Sequence, residues 1–259
     1  MNICTFNVNS IRARRDLILQ WLDSRGQDLD VLLFQELKGE EGHFPFADFE
    51  ALGYECAVYG QKTYNGVAVC SKIPMSDIRL GFGDAPWDEQ KRLMAVRIGE
   101  LHIINVYVPH GDIPETEKFR YKQDWYQTFL QTLSTRYSSK DQIIIGGDFN
   151  VTRGDMDVYA AADLAGAVGT LKEEREVFES LLQWGLTDVF RFLHPKDRTF
   201  TWWDYRTAGI WRDEGMRIDY LLCTFPLVKR FKHIAVDLWP RKRRFPTPSD
   251  HAPLWAIVD

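Results

Sequence analysis

Short apolar runs that stop abruptly in amides and acids recur from one end of this chain to the other, and that rhythm limits the folds open to it. Val31-Leu32-Leu33-Phe34 ends in Gln35-Glu36, the strand-like segment 3–8 carries Asn7 ahead of Asn9, and segment 101–108 carries Tyr107 ahead of Pro109-His110. Segment 142–145 leads through Gly146-Gly147 to Asp148-Phe149-Asn150. Apolar runs of this length, bounded by turn residues, read as buried strands. Further strands are expected over 62–70, 94–98, 199–205, 216–223 and 251–258. Helical spacing appears between them, in Ile18-Trp21-Leu22, in Phe119, Trp125, Tyr126, Phe129, Leu130 and Leu133, and in Val177, Phe178, Leu181 and Leu182. The first helix is expected to stop near Gly26. Thr170 with Glu173 reads as a capping box for the third, Gly185 as its stop, and Thr187 as the cap of a short helix before Pro195. Strands alternating with helices, without a low-complexity linker or repeat, predict one mixed α/β domain over 1–259 with two packed sheets.

Composition narrows the class. At 259 residues and 45% hydrophobic, the chain can bury roughly three quarters of its unfolded surface and needs no staples. No apolar run approaches the ~20 residues that cross a bilayer, and Met1-Asn2-Ile3-Cys4 enters strand-like sequence without the basic flank and apolar core of a leader. The four cysteines, Cys4, Cys56, Cys70 and Cys223, contain no CxxC pair. Zinc-ribbon and disulfide-framework readings are therefore set aside. Cys4, Cys70 and Cys223 lie in apolar runs and read as free small hydrophobes, which fits a reduced, cytoplasmic protein. A net charge of −5 argues against coating nucleic acid by charge alone. The block Arg241-Lys242-Arg243-Arg244 reads as a solvated face.

The polar interruptions carry the chemistry. Asn7-Val8-Asn9, Gln35-Glu36, Tyr107 to His110, Asp148-Phe149-Asn150 and Arg217-Ile218-Asp219 each end a core strand candidate, and Ser249-Asp250-His251 opens the last one. Residues i and i+2 of a strand share a face, so Asp148 is expected to project with Asn150, and Asn7 with Asn9. A carboxylate beside a buried strand costs several kcal/mol unless it is paired or holds a metal. Acids, amides, a histidine and a tyrosine without thiols suit a hard, oxygen-seeking ion such as Mg²⁺ better than zinc.

The motifs TFNVNSIRAR (5–14), LFQELK (33–38), YNGVAV (64–69), NVYVP (105–109), GGDFNV (146–151), FTWWDYR (200–206), MRIDYLL (216–222) and PSDHAPLW (248–255) occur in this order. Together they resemble the exonuclease III-type apurinic/apyrimidinic endonucleases of the endonuclease/exonuclease/phosphatase superfamily. The resemblance implies a four-layered, DNase I-like α/β sandwich, two packed mixed β-sheets flanked by helices, with the site at one end. It implies a DNA repair nuclease that uses Mg²⁺ or Mn²⁺ to cut duplex DNA 5′ to an abasic site and to trim 3′ ends. By motif, Glu36 is the principal metal ligand, with Asn7 and Asp250 near the ion. Asp148 activates water, Asn150 positions it, and Tyr107 approaches the phosphate or leaving group. His251, oriented by Asp219, binds the scissile phosphate or helps activate water.

Trp202, Met216 and Ile218 would form the pocket for a base-less sugar, and Arg12, His110 and Arg206 would contact DNA, as would Arg14. Met216 stands where an aromatic is frequent, and His110 where Asn is common. Gly169 leaves space that favours internal incision. A monomer acting on abasic duplex or 3′ ends, without membrane partners, is expected. An inositol-phosphate phosphatase fits FTWWDYR and TFNVNSIRAR less well, and a catalytically silent DNA-binding module has no need of Glu36, Asp148, Asn150, Asp219, Asp250 and His251 together.

Overall fold

A computed structural model describes residues 1–24, 29–84 and 86–259. The expected helix stop at Gly26 lies outside them. The first half holds β1 (Asn2–Asn7), α1 (Ile11–Ser24), β2 (Val31–Gln35), α2 (Phe46–Ala51), β3 (Glu55–Tyr59), β4 (Val67–Ser71), β5 (Ser76–Leu80), β6 (Leu93–Ile98), β7 (Leu101–Tyr107) and α3 (Glu117–Arg136). The second holds β8 (Ile143–Asp148), α4 (Lys172–Trp184), β9 (Leu186–Asp188), α5 (Val189–Leu193), β10 (Trp202–Trp203), β11 (Gly215–Met216), β12 (Asp219–Thr224), α6 (Phe225–Val228), β13 (Phe231–Val236), α7 (Leu238–Arg241) and β14 (Leu254–Val258). Two six-stranded sheets form among the described residues, in the orders β13-β14-β1-β2-β4-β3 and β5-β6-β7-β8-β12-β9. Each is mixed, because β1 runs parallel to β2 and β7 parallel to β8 while their other neighbours are antiparallel.

Strand alternation divides the side chains into layers. Ile3, Leu33, Ile103, Ile144 and Leu221 fill the space between the sheets. Phe6, Leu32 and Phe34 face outward beneath Trp21 and Phe49 of α1 and α2, and Ile143, Ile145 and Leu222 face outward beneath Trp125, Phe129 and Phe178 of α3 and α4. Each fully buried large apolar side chain contributes about 1.5–3 kcal/mol by leaving water, so the four-layered sandwich follows from the period-two pattern. Gly146 lets the sheets approach: a Cβ there would lie 2.5 Å from Leu33 Cδ1 and 2.9 Å from Leu221 Cδ2. Beside it, Gln35 Nε2 donates to Thr5 Oγ1 (3.0 Å) and to Asn105 Oδ1 (2.8 Å), which ties one sheet to the other in register.

Several local expectations change. Glu174, not Glu173, caps α4, its carboxylate accepting from Leu171 N and Gly169 N, while the Thr170 hydroxyl turns to Leu164 O and Ala167 O. Asp188 caps α5 by accepting from Arg191 N, and Thr187 lies inside β9. Segment 62–70 forms a strand only from Val67, and segment 199–205 only at Trp202–Trp203. Cys70 is not free: the antiparallel register sets it opposite Cys56, Cα atoms 4.0 Å apart, and the two are joined in a disulfide. Cys4 and Cys223 are free and buried. Arg241 is buried rather than solvated, donating to Asp250 O and Trp203 O; Lys242, Arg243 and Arg244 are exposed. No helix of the described residues is long and apolar enough to cross a membrane.

Candidate active site

The inward faces of the core strands continue to their ends and turn polar there. Ile3 and Thr5 precede Asn7, Leu33 precedes Gln35, Ile103 and Asn105 precede Tyr107, and Ile144 and Gly146 precede Asp148. Asp219 opens β12 rather than closing a strand. Because β12 is antiparallel to β8, its first residue pairs with Asp148 and reaches the same end of the sandwich. Polar side chains from both sheets therefore meet where the inter-sheet core stops.

Asn7 bridges the sheets, its Nδ2 donating to Glu36 Oε1 and to Asp148 Oδ2, both at 2.8 Å. Asp148 Oδ2 lies 3.8 Å from His251 Nε2, and His251 Nδ1 lies 2.9 Å from Asp219 Oδ2. Asp219 Oδ1 is buried without a hydrogen-bond partner among the described residues. Ser249 Oγ donates to Asn7 O and accepts from His251 N, so the last cluster is stapled to β1. Glu36 and Asn150 adopt positive φ, 54° and 50°, a costly conformation for side-chain-bearing residues that concentrates at functional sites. The strand thus ends at Asp148, and Asn150 returns by a turn: its backbone N–H donates to Asp148 Oδ1 (2.9 Å) and its Nδ2 to Val108 O. Asn9 departs from the shared face expected with Asn7, and its amide donates to Asp250 Oδ1 at 2.8 Å.

Burial and partners set the protonation states. Burial raises the Asp148 carboxyl to about 7, with Asp219 adding to the rise and His251 opposing it. Burial disfavours the His251 imidazolium, yet the Asp219 and Asp148 carboxylates outweigh it and raise the group to about 10. Glu36 is also penalised by burial, but the Lys38 ammonium at 2.8 Å and the Asn7 amide hold its carboxyl below the usual range. Burial, then Glu36, push the Tyr107 phenol well up, so it stays a neutral donor. Asp250 is held low despite burial, by His251 and by donors from Asn9 and Trp202.

A cavity of about 220 Å³ opens above these groups. Glu36, Tyr107, Asp250 and His251 give it a polar side. Trp202, Met216 and Ile218 line one apolar part of it, and His110, Asn150, Val168 and Gly169 line another. Glu36, Asp148 and His251 each bring a ligand atom within 4.8 Å of the others. The donors are oxygen-rich and contain no thiol, and Glu36 is ionised at neutral pH, which fits a hard divalent cation.

Other expected contacts separate. Arg206 does not reach the cavity; its side chain is 89% exposed and pairs with Asp204. Arg14 is spent on structure, donating to Asn9 O, Pro248 O and Tyr205 Oη. Arg12 lies beside the site in a shallower cavity of about 390 Å³ that also carries Lys38 and Lys62. Sequence reasoning passed over Lys38, although it sits inside LFQELK, and over Lys122 and Glu174, whose helices gave no local sign of a role at the site.

Comparison with known proteins agrees with this geometry. Residues 4–251 match the model of the Endonuclease/Exonuclease/phosphatase family. The chain is 34% identical over 268 residues to exodeoxyribonuclease III of Haemophilus influenzae, covering 99% of each chain. Among solved structures it superposes on an AP endonuclease from Archaeoglobus fulgidus with a TM-score of 0.94 and 36% identity, covering 100% of this chain and 99% of that one. A Neisseria 3′ phosphatase, NExo, bound to a product DNA hairpin, superposes with a TM-score of 0.93 and 35% identity, covering 100% of this chain and 99% of that one.

Proposed function

The chain belongs to the endonuclease/exonuclease/phosphatase family, and from that premise we propose that it is a DNA repair nuclease that hydrolyses the phosphodiester 5′ to an abasic site in duplex DNA and trims 3′ ends. The observation that carries this reading is the convergence of Glu36, a buried Asp148 and an Asp219–His251 dyad beneath a cavity with an apolar wall. Residues 1–259 work as one domain, and every group named comes from a single chain, so a monomer suffices.

Glu36, with Asp250 lining the same cavity, would hold a divalent ion, Mg²⁺ by its preference for oxygen donors, and the Asn7 amide would steady the Glu36 carboxylate. When bound, the ion supplies Lewis acidity at the phosphoryl oxygens. Asp148 accepts the proton of the attacking water; a base whose pKa lies near 7 combines availability with driving force at neutral pH. Asn7 and the Asn150 turn fix the Asp148 oxygens and so aim that water. The His251 imidazolium donates from Nε2 to a phosphoryl oxygen while Asp219 holds Nδ1, and the neutral Tyr107 phenol donates toward phosphate or leaving group. Pre-aimed donors of this type are each worth about 2.7–4 kcal/mol. Trp202, Met216 and Ile218 receive the extruded sugar. A full nucleotide costs unstacking energy to extrude, which favours a base-less one.

The test is a duplex carrying one abasic analogue, incubated with Mg²⁺ or with EDTA. A nick 5′ to the analogue that leaves a 3′-hydroxyl, formed only with metal, is expected. An intact duplex alongside metal-dependent release of phosphate from 3′-phosphoryl ends would assign the chain to end processing, the reading favoured by its likeness to the Neisseria 3′ phosphatase.

A further inference from the structure

The two walls of the cavity are built differently. Trp202, Met216 and Ile218 share a paired β10–β11 unit and the strand start beside it. The other wall is assembled from three separate stretches of chain, at His110, at Asn150 and at Val168-Gly169. All three converge on one buried ion pair between α3 and α4. Lys122 Nζ donates to His110 O (3.1 Å), Asn150 O (2.7 Å) and Glu174 Oε1 (2.6 Å), which uses all three hydrogens of the ammonium. Glu174 Oε2 accepts from Gly169 N (2.7 Å) and Leu171 N (3.2 Å). Both side chains are fully buried. Gly111 permits this closeness: at φ +79°, its added Cβ would lie 2.8 Å from Lys122 Cδ.

Burial of an ion pair is a poor route to stability, since apolar side chains of similar volume often hold helices as well or better. Trp125, Phe129, Phe178 and Leu181 already pack in the core beneath these two helices. What apolar side chains would not do is fix the carbonyls of His110 and Asn150 and the amides of Gly169 and Leu171 at once.

We propose that Lys122 and Glu174 are positioning residues that set the width of the cavity and thereby its preference for a base-less sugar over a complete nucleotide. The proposal rests on the nuclease reading above. Loss of either partner loosens the His110 and Gly169 segments, which then keep their bonds to the Asn150 turn, Asn150 Nδ2 to Val108 O and Thr152 N to Gly169 O, but lose the shared anchor. Grip on the small sugar then weakens, while a larger nucleotide is hindered less.

The experiment compares wild type with Lys122→Met and with Glu174→Gln, which keeps the shape if the first variant does not fold. In each preparation, kcat/KM is measured for abasic incision and for removal of a normal 3′ nucleotide. The ratio of the two is expected to fall at least tenfold, chiefly through a higher KM on the abasic duplex. Phe178→Leu, which loosens the same helix pair without touching the wall, should leave the ratio unchanged. Amide hydrogen exchange reads the geometry without turnover: segments 108–112 and 166–171 should exchange at least tenfold faster, with the interiors of α3 and α4 still protected. A ratio within twofold of wild type overturns the proposal. So does unchanged exchange in those two segments, whether or not the wild-type protein cuts DNA, whereas altered exchange in a chain that cuts neither substrate would fault the nuclease reading instead.

Discussion

Replacement of Asp219 by Asn should move the whole pH profile of the enzyme toward acid. The Asp219 carboxylate acts on two groups at once. It is the main influence raising His251, from 6.5 to about 10 against burial, and it adds to the burial that raises Asp148 to about 7. Asn keeps the shape and removes the charge. A buried hydrogen bond to a charged group is worth about 1.5–3 kcal/mol, and one pH unit corresponds to 1.36 kcal/mol. His251 should therefore titrate at least about one to two units lower in the variant. Asp148, freed of a like charge, should ionise at lower pH as well. If Asp148 must be ionised and His251 protonated, the acid limb follows Asp148 and the alkaline limb follows His251, so both limbs shift down.

At pH 9 a variant imidazolium that titrates about one to two units below the wild-type value is roughly half to nine-tenths deprotonated, a loss of about two- to tenfold in rate; near pH 6 the loss is smaller. The stability sign follows from the raised His251. Its contribution is fully present below the unfolded value of 6.5 and is lost as pH rises through about 10. Metal-free wild type should thus weaken across that window, and the variant should be flatter. Rate profiles at saturating Mg²⁺, with NMR titration of His251 in EDTA, measure each quantity. A wild-type-to-variant rate ratio that stays constant from pH 6 to 9, or limbs that move in opposite directions, would refute the dyad.

Three further outcomes are expected. Asp148→Asn should lose about 10²–10⁴-fold in kcat through loss of the base while its melting temperature holds, and a normal single-turnover rate would remove Asp148 from that role. Arg217→Met should cost about 3–5 kcal/mol in urea unfolding, because it strips buried Asp157 and Asp188 of a fully buried guanidinium. Asp157 is itself penalised by burial but held low by Arg217, so the wild type's added stability is present above the unfolded carboxyl value and is lost as pH falls through the lowered one; an unfolding difference that persists unchanged in strong acid would contradict this. Arg12→Ala should weaken DNA binding evenly across sequences and reduce the salt slope by about 0.9 for each phosphate the side chain no longer neutralises, and an unchanged slope in a binding titration would place Arg12 away from the backbone.

The sandwich and most of its site were legible because both depend on period two. The alternation that buries Ile3 and Ile144 also carries Asn7 and Asp148 to the open end of the core, and antiparallel pairing brings Asp219 there from the other direction. What could not be read locally was anything decided by a distant partner. Arg14, Arg206 and Arg241 are alike in sequence, yet one supports turns, one pairs with its neighbour Asp204, and one is buried under Asp250 and Trp203. The Cys56–Cys70 bond required the β3–β4 register. Edge strand β5 is exposed at every residue, and its only apolar positions, Ile78 and Leu80, make too short an alternation to stand out.

The same geometry explains why the acids gather without driving the site apart. Packed sheets lie about 10 Å apart, so carboxylates from facing strands would repel across a narrow, poorly solvated gap. Here, Gly146 draws the sheets close enough for the Asn7 amide to span from Glu36 to Asp148. Lys38 offsets Glu36, and His251 stands between Asp148 and Asp219. Two cationic groups thus hold four acids, Glu36, Asp148, Asp219 and Asp250, in one small volume and leave negative charge in excess, which a divalent ion would relieve. The inter-sheet core that stabilises the fold is therefore also what sets the spacing of the site. A side chain at Gly146 would have to push apart Leu33 and Leu221, at about 1–3 kcal/mol, and would separate Asn7 from Asp148 before it unfolded the protein.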